Sequence, residues 1–239
     1  MKWTIALMAM AGAAAPALTG GAVSSTPASF AAAGEGAVMV ETRSGLGHDV
    51  VVQDTAKQRL RFVTAPEGNK ARYRVREQLV GLQFPNDAVG ETEAIEGVLV
   101  LEADGRVVKE ESKFTVDLRT LKSDKSRRDG FVQRNTLNTA EFPHAIFVPT
   151  AIQGLTLPLP ESGELTLRLE GELTIRGVTR PTVWDLTLKI NGKEYTGHAA
   201  TVFDFGAFGL TIPRVRSVLS VVDEIRLEYD LKLVGVPVS

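Results

Sequence analysis

The chain has no cysteine among its 239 residues. That excludes a disulfide framework, a thiolate metal site, a thiol nucleophile and an N-terminal cysteine for lipid attachment. Histidine is almost as scarce: His48, His144 and His198 are scattered, with no pair at metal-ligand spacing. No nucleophile elbow, phosphate loop or dinucleotide glycine pattern occurs, so nucleophilic or nucleotide-dependent chemistry has no visible seat. Excess charge is missing too. With 27 basic against 29 acidic residues there is no electrostatic footprint for nucleic acid. Beyond the N-terminus no apolar run is long enough to span a bilayer as a helix, so no transmembrane span is expected.

The N-terminus has its own character. Lys2 precedes an unbroken apolar and small-residue run, Ile5 to Leu18 (IALMAMAGAAAPAL), followed by TGGAVSSTPASFAAAG. The run is shorter than the roughly 20 residues of a spanning helix and has the flanks of a secretory signal. Cleavage after Ala22 or after Ala33 fits equally well. Residues 1–33 are therefore expected to be a signal peptide with an Ala/Ser-rich lead. The protein would then be periplasmic or secreted, with residues 34–239 forming one domain.

From Gln58 onward the pattern is that of strands. Lys113–Leu118 alternates, with Phe114, Val116 and Leu118 on one face. Glu164–Ile175 (ELTLRLEGELTI) and Thr182–Ile190 alternate cleanly, and Asp223–Val234 aligns Ile225, Leu227, Tyr229, Leu231 and Leu233. Asp104-Gly105, Arg176-Gly177 and Asn191-Gly192 mark hairpin turns. Gly81–Glu96 reads as a loop. Ser123–Thr139 has no two-residue period; Ser126 followed by Asp129 suggests a short capped helix with Phe131 as its buried anchor. Strands apolar on one face, with tight turns and no repeated helical pattern between them, imply an all-β antiparallel fold. The pattern leaves open whether the sheet closes as a barrel or stacks as a sandwich.

The second half carries an ordered series of motifs: RRDGF (127–131), EFPHAIF (141–147), ELTIRGVTRP (172–181), FDFGAFG (203–209) and DEIRLEYDLKL (223–233). In order and spacing they resemble the YceI-like family, and PEGNKARYRVREQL (66–79) and AVGETEAIEGVLVLEADG (88–105) resemble one branch of it. Residues 34–58 match nothing in that family, and FGLTIPRVRSVLSV (208–221) departs from its commonest form. The resemblance implies an extended, lipocalin-like antiparallel barrel of about eight strands with one short helix. It implies a non-enzymatic exported protein whose lumen holds a polyisoprenoid, a quinone tail or a similar long-chain amphiphile, with no cofactor or metal.

In such a barrel Phe114, Val116, Leu118, Leu173, Trp184, Leu186, Ile225 and Leu227 would face inward. Phe131, Leu137, Phe142 and Phe147 would come from the helix and its return strand, and Phe203, Phe208 and Ile212 would line or gate one end. Each buried methylene gains roughly 0.8 kcal/mol, so about twelve carbons gain on the order of 10 kcal/mol, against an association cost of roughly 4–15 kcal/mol. The partner must therefore be a long apolar chain. Two rival readings stay open: an isoprenoid-modifying enzyme using His144 or Asp129 as acid–base group, and a fully packed structural module that binds a partner protein. Pairing into a homodimer is compatible with this fold.

Overall fold

The computed structural model describes residues 59–237. The expected signal peptide and residues 34–58 lie outside the described residues. Twelve strands form one antiparallel sheet: β1 (Leu60–Thr64), β2 (Lys70–Leu79), β3 (Asn86–Thr92), β4 (Ile95–Leu101), β5 (Lys113–Asp117), β6 (Lys122–Ser123), β7 (His144–Gln153), β8 (Ser162–Ile175), β9 (Val178–Asn191), β10 (Glu194–Phe203), β11 (Val218–Val221) and β12 (Ile225–Val236). Six of them pair up as bent halves of longer staves. β12 pairs through Arg226–Asp230 with β2 and through Leu233–Val236 with β1. β2 pairs with β3 while β1 pairs with β4, and β3 pairs with β6 while β4 pairs with β5. The staves β1/β2, β3/β4, β5/β6, β7, β8, β9, β10 and β12 thus form a closed barrel of eight, each paired with its sequence neighbour and the last with the first. Closure leaves no barrel edge to aggregate, and settles the choice between barrel and sandwich.

The bends are held by polar side chains that replace lost ladder bonds. At the β1/β2 joint, Asn69 is buried. Its Nδ2 donates to the Ala65 carbonyl at 2.8 Å, while its Oδ1 accepts from the Lys232 backbone N at 3.0 Å and the Tyr229 hydroxyl at 2.7 Å. At the β3/β4 joint, Thr92 Oγ1 accepts from the Ala94 N. Such local side-chain bonds let a strand turn without orphaning buried backbone groups.

Period-two alternation decides what each stave buries. On β8 and β9, Leu167, Leu173, Ile175, Trp184, Leu186 and Ile190 are buried, whereas Glu164, Arg168, Asp185 and Lys189 face outward in cross-strand ion pairs. Outward polar side chains on β10, β12, β2 and β3 form a ladder through His198–Asp230, Arg72–Asp230, Arg72–Glu91 and Lys70–Glu91.

Two expectations are corrected and one short strand is added. Residues 86–92, read as loop, form β3; Pro85, Asn86, Asp87 and Gly90 mask a strand whose Ala88, Gly90 and Thr92 face inward. Val218–Val221 pairs with β2 as the short strand β11. The helix exists, as α1 (Ser126–Phe131) running on into a π-turn at Val132–Thr136, but Ser126 does not cap it: Lys125 occupies the cap position without a side-chain bond. Asp129 instead reaches back to the Ser123 N at 2.8 Å and its hydroxyl at 2.6 Å, tying the first turn of α1 to β6.

Candidate functional site: an apolar lumen with one polar station

The inward faces converge on a cavity of about 790 Å³ inside the barrel, within the range of roughly 300–1,000 Å³ typical of small-molecule sites. A fully packed core is thereby excluded. With β8 fourteen residues long, at about 3.3 Å per residue and a tilt near 40°, the barrel is roughly 35 Å along its axis.

Room in the lumen depends on where the aromatic rings lie. Gly97 on β4 stands opposite Phe114 on β5, and Gly90 on β3 opposite Tyr73 on β2. A Cβ on Gly97 would sit 2.1 Å from the Phe114 ring, one on Gly90 2.2 Å from Tyr73, and one on Gly171 2.5 Å from Phe147. Each ring lies flat on an inward glycine of the same wall, where a side chain would push it toward the axis. Edge-to-face pairs brace the rings further: Phe147–Trp184 at 5.7 Å and Phe114–Tyr229 at 6.3 Å between centroids. Trp184 Nε1 donates to Thr182 Oγ1, so its polar edge is satisfied within its own strand.

The structure brings together at the cavity wall Phe114, Val116, Leu118, Leu173, Trp184 and Leu186 from the staves, and Ile225 and Leu227 from β12. Phe131, Leu137, Phe147 and Phe203 line it from the helical end. Three expected lumen residues are not in the cavity wall. Phe142 precedes β7, where no strand alternation yet applies, and packs its ring on Gly177 at the β8–β9 turn. Phe208 is 1% exposed and packs edge-on against Phe203 at 4.6 Å, within a 3₁₀ turn capped by Asp204, behind the cavity wall. Ile212 follows left-handed Gly209 and borders a shallow depression that shares Pro213, Val215, Val218 and Val221 with the cavity lining, at one end of the lumen.

Other lining residues carry no such expectation from sequence, among them Phe62, Leu99, Tyr195, Ala199 and Glu77, the last paired with Arg128. Glu77 falls on the inward face of β2, in step with Tyr73, Val75 and Leu79, and that periodicity alone would have placed it inside. Arg128 Nη2 meets its carboxylate at 2.7 Å, with the two side chains 16% and 8% exposed. Asp124 holds the other side of the guanidinium. Burial alone would lower the Arg128 pKa, but the two carboxylates prevail and raise it. Among the described residues neither Arg127 nor Arg128 pairs with Asp129, which is held by Ser123. Burial also pushes Tyr73 up to about 12. The lumen is mostly apolar, and at its α1 end Tyr73, Glu77 and Arg128 form one polar station.

The residues proposed for acid–base chemistry are not assembled. Asp129 is engaged with Ser123, and His144 is exposed at the start of β7. Among the described residues no three His, Asp or Glu side chains gather as a metal site, and no helix is long and apolar enough to cross a membrane.

The YceI-like domain model matches residues 54–233. A UPF0312 protein of Pseudomonas putida is 32% identical over 117 residues, 45% of this chain and 57% of that protein, and one of Pseudomonas fluorescens is 33% identical over 113 residues, 44% and 55%. The aligned stretch thus spans little more than half the length of these curated relatives. Among solved structures, a polyisoprenoid binding domain from Saccharophagus degradans implicated in plant cell wall breakdown superposes with TM-score 0.59 at 10% identity, covering 73% of this chain and 98% of that one. Burkholderia cenocepacia BcnA superposes with TM-score 0.51 at 17% identity, covering 69% and 95%. At these identities the likeness is one of fold.

Proposed function

The chain belongs to the YceI-like domain family, and from that premise we propose that it is a non-catalytic carrier that holds one long-chain amphiphile, a polyisoprenoid or quinone tail, along the barrel axis. The observation that carries this reading is the cavity itself: about 790 Å³ inside the barrel, walled mainly by aliphatic and aromatic groups and open at one end. Water along these walls finds few polar partners, so an apolar chain fills the space more favourably. The polar station at the α1 end gives the ligand its direction. The apolar tail runs from it down the staves, and the head group lies beside Tyr73, Glu77 and Arg128. The structural neighbour from Saccharophagus degradans is described as a polyisoprenoid binding domain, which agrees with a branched chain as cargo.

The N-terminal run Ile5–Leu18 supports export, so the carrier would work in the envelope or outside the cell. The test is to purify the full chain without detergent, record its intact mass under native conditions, and identify whatever organic solvent extracts. A stoichiometric long-chain lipid is expected. A folded protein that is repeatedly empty, or that carries only small polar compounds, would refute the proposal.

A further inference from the structure

The rim at the α1 end exposes apolar side chains in one place. Val80, Leu82 and Phe84 occupy the β2–β3 turn, and Leu219 lies on β11, the strand that pairs with the end of β2. The Val80 N donates to the Ser217 carbonyl at 3.0 Å, so the turn and β11 form one projecting edge. Phe84 is 77% exposed and Leu219 66%. Scattered exposed apolar residues are ordinary, but a cluster on a projecting rim is not. The edge also adjoins the lumen opening, since Leu79, Val80 and Val218 line the cavity itself.

Cations without partners cluster around this edge. Lys125, Arg127, Arg214 and Arg216 are exposed, and Lys125, Arg127 and Arg216 border the cavity. Lys125 has Asp124 at 3.7 Å, and Asp124 is shared with Arg128. Among the described residues Arg127, Arg214 and Arg216 are in no ion pair, unlike most arginines of the barrel wall. The acidic groups near the rim are mostly occupied: Asp87 by Arg74 and Arg76, Glu77 by Arg128, Asp223 by the Phe205 N; Glu224 is exposed.

We infer that this rim docks on an anionic lipid bilayer, with Leu82, Phe84 and Leu219 entering the headgroup–acyl boundary and Arg127, Arg214 and Arg216 meeting lipid phosphates. Apolar wedges ringed by unpaired cations suit an interface that is greasy in its depth and negative at its surface. The inference builds on the carrier reading, because a lipid passing from a bilayer to a lumen leaves water out of its path only if the mouth touches the membrane.

The test floats lipid-loaded full-length protein with phosphatidylglycerol/phosphatidylcholine vesicles and with pure phosphatidylcholine vesicles. Binding to the mixed vesicles that weakens with salt is expected. Replacing Arg127, Arg214 and Arg216 by Gln should reduce it by about fivefold per cation. The combined variant Leu82→Ser, Phe84→Ser and Leu219→Ser, whose sites are exposed and outside the lumen, should lose vesicle binding while its extractable lipid stays at the wild-type level. Loaded wild-type protein that ignores both vesicles, or a Ser variant that floats like wild type, would overturn the inference. So would a wild-type dimer that the Ser variant dissociates without any change in vesicle binding, since the patch would then belong to a second copy. An empty barrel that floats and loses flotation in the Ser variant would keep the docking surface and remove the carrier reading.

Discussion

Replacing Gly97 by Ala should shorten the ligand that this barrel prefers. The new Cβ would stand 2.1 Å from the Phe114 ring, whereas carbons in contact lie about 3.5–4.0 Å apart. Phe114 must therefore move, and the wall behind it is closed by the β4–β5 ladder. The ring turns toward the axis and takes space that ligand carbons would otherwise fill. If it displaces about four methylenes, the lost transfer free energy is about 3 kcal/mol, or roughly two decades in affinity for a chain matched to the wild-type lumen. Global stability should change little: Gly to Ala in a strand gains about 0.5–1 kcal/mol of backbone entropy, and an off-rotamer ring costs about 0.5–1.5 kcal/mol. The assay is calorimetric binding of a homologous series of chain lengths to delipidated protein. The best-bound chain should be shorter in the variant, with the unfolding midpoint nearly constant. An unchanged length preference would show that the glycine–aromatic pairing does not set the lumen, and the reasoning would fail.

Three further outcomes are expected. Glu77→Ala strands a mostly buried guanidinium that keeps only Asp124, so it should cost about 1–3 kcal/mol in urea unfolding, whereas Glu77→Met with Arg128→Met should recover most of that. Asn69→Ala leaves the Ala65 carbonyl, the Lys232 N and the Tyr229 hydroxyl without their partner and should cost about 2–4 kcal/mol; a loss under half a kilocalorie, on the order of surface changes, would show the β1/β2 joint is held some other way. Burial holds Tyr73 up to about 12 and raises Tyr195 and Tyr229 as well. Their contribution to stability is complete below the unfolded tyrosine value near 10 and is lost as pH rises through the folded values. Alkaline titration should show phenolate absorbance lagging that of the urea-unfolded chain; coincident curves would contradict the buried setting of these rings.

Where strands are long and strictly alternating, the sequence was transparent. The faces of β8, β9 and β12 could be assigned residue by residue, because one face is lumen and the other water. Closure was not legible from that pattern, since a sandwich alternates in the same way; the family resemblance supplied it, and the pairing of β12 with both β1 and β2 makes it concrete. β3 was hidden because its inward positions are Ala88, Gly90 and Thr92, too small or polar to print a hydrophobic period, and they are small because Tyr73 lies over Gly90. Phe142, Phe208 and Ile212 carry no periodic signal, for the opposite reason. They are apolar residues in turns, where composition carries no direction. The Glu77–Arg128 station spans 51 positions of sequence and required the fold to be seen, although the step of two from Tyr73 to Glu77 already pointed the carboxylate inward.

The central claim is that a long apolar chain occupies the lumen between these staves. A polyisoprenoid analogue bearing a diazirine near its tail, photolysed in the loaded protein and mapped by peptide mass spectrometry, tests it directly. Adducts should fall on inward residues such as Leu173, Trp184 and Leu227, and should be suppressed by excess unlabelled chain. Adducts on outward residues such as Arg168 or Asp185, or labelling that excess chain does not suppress, would contradict the account.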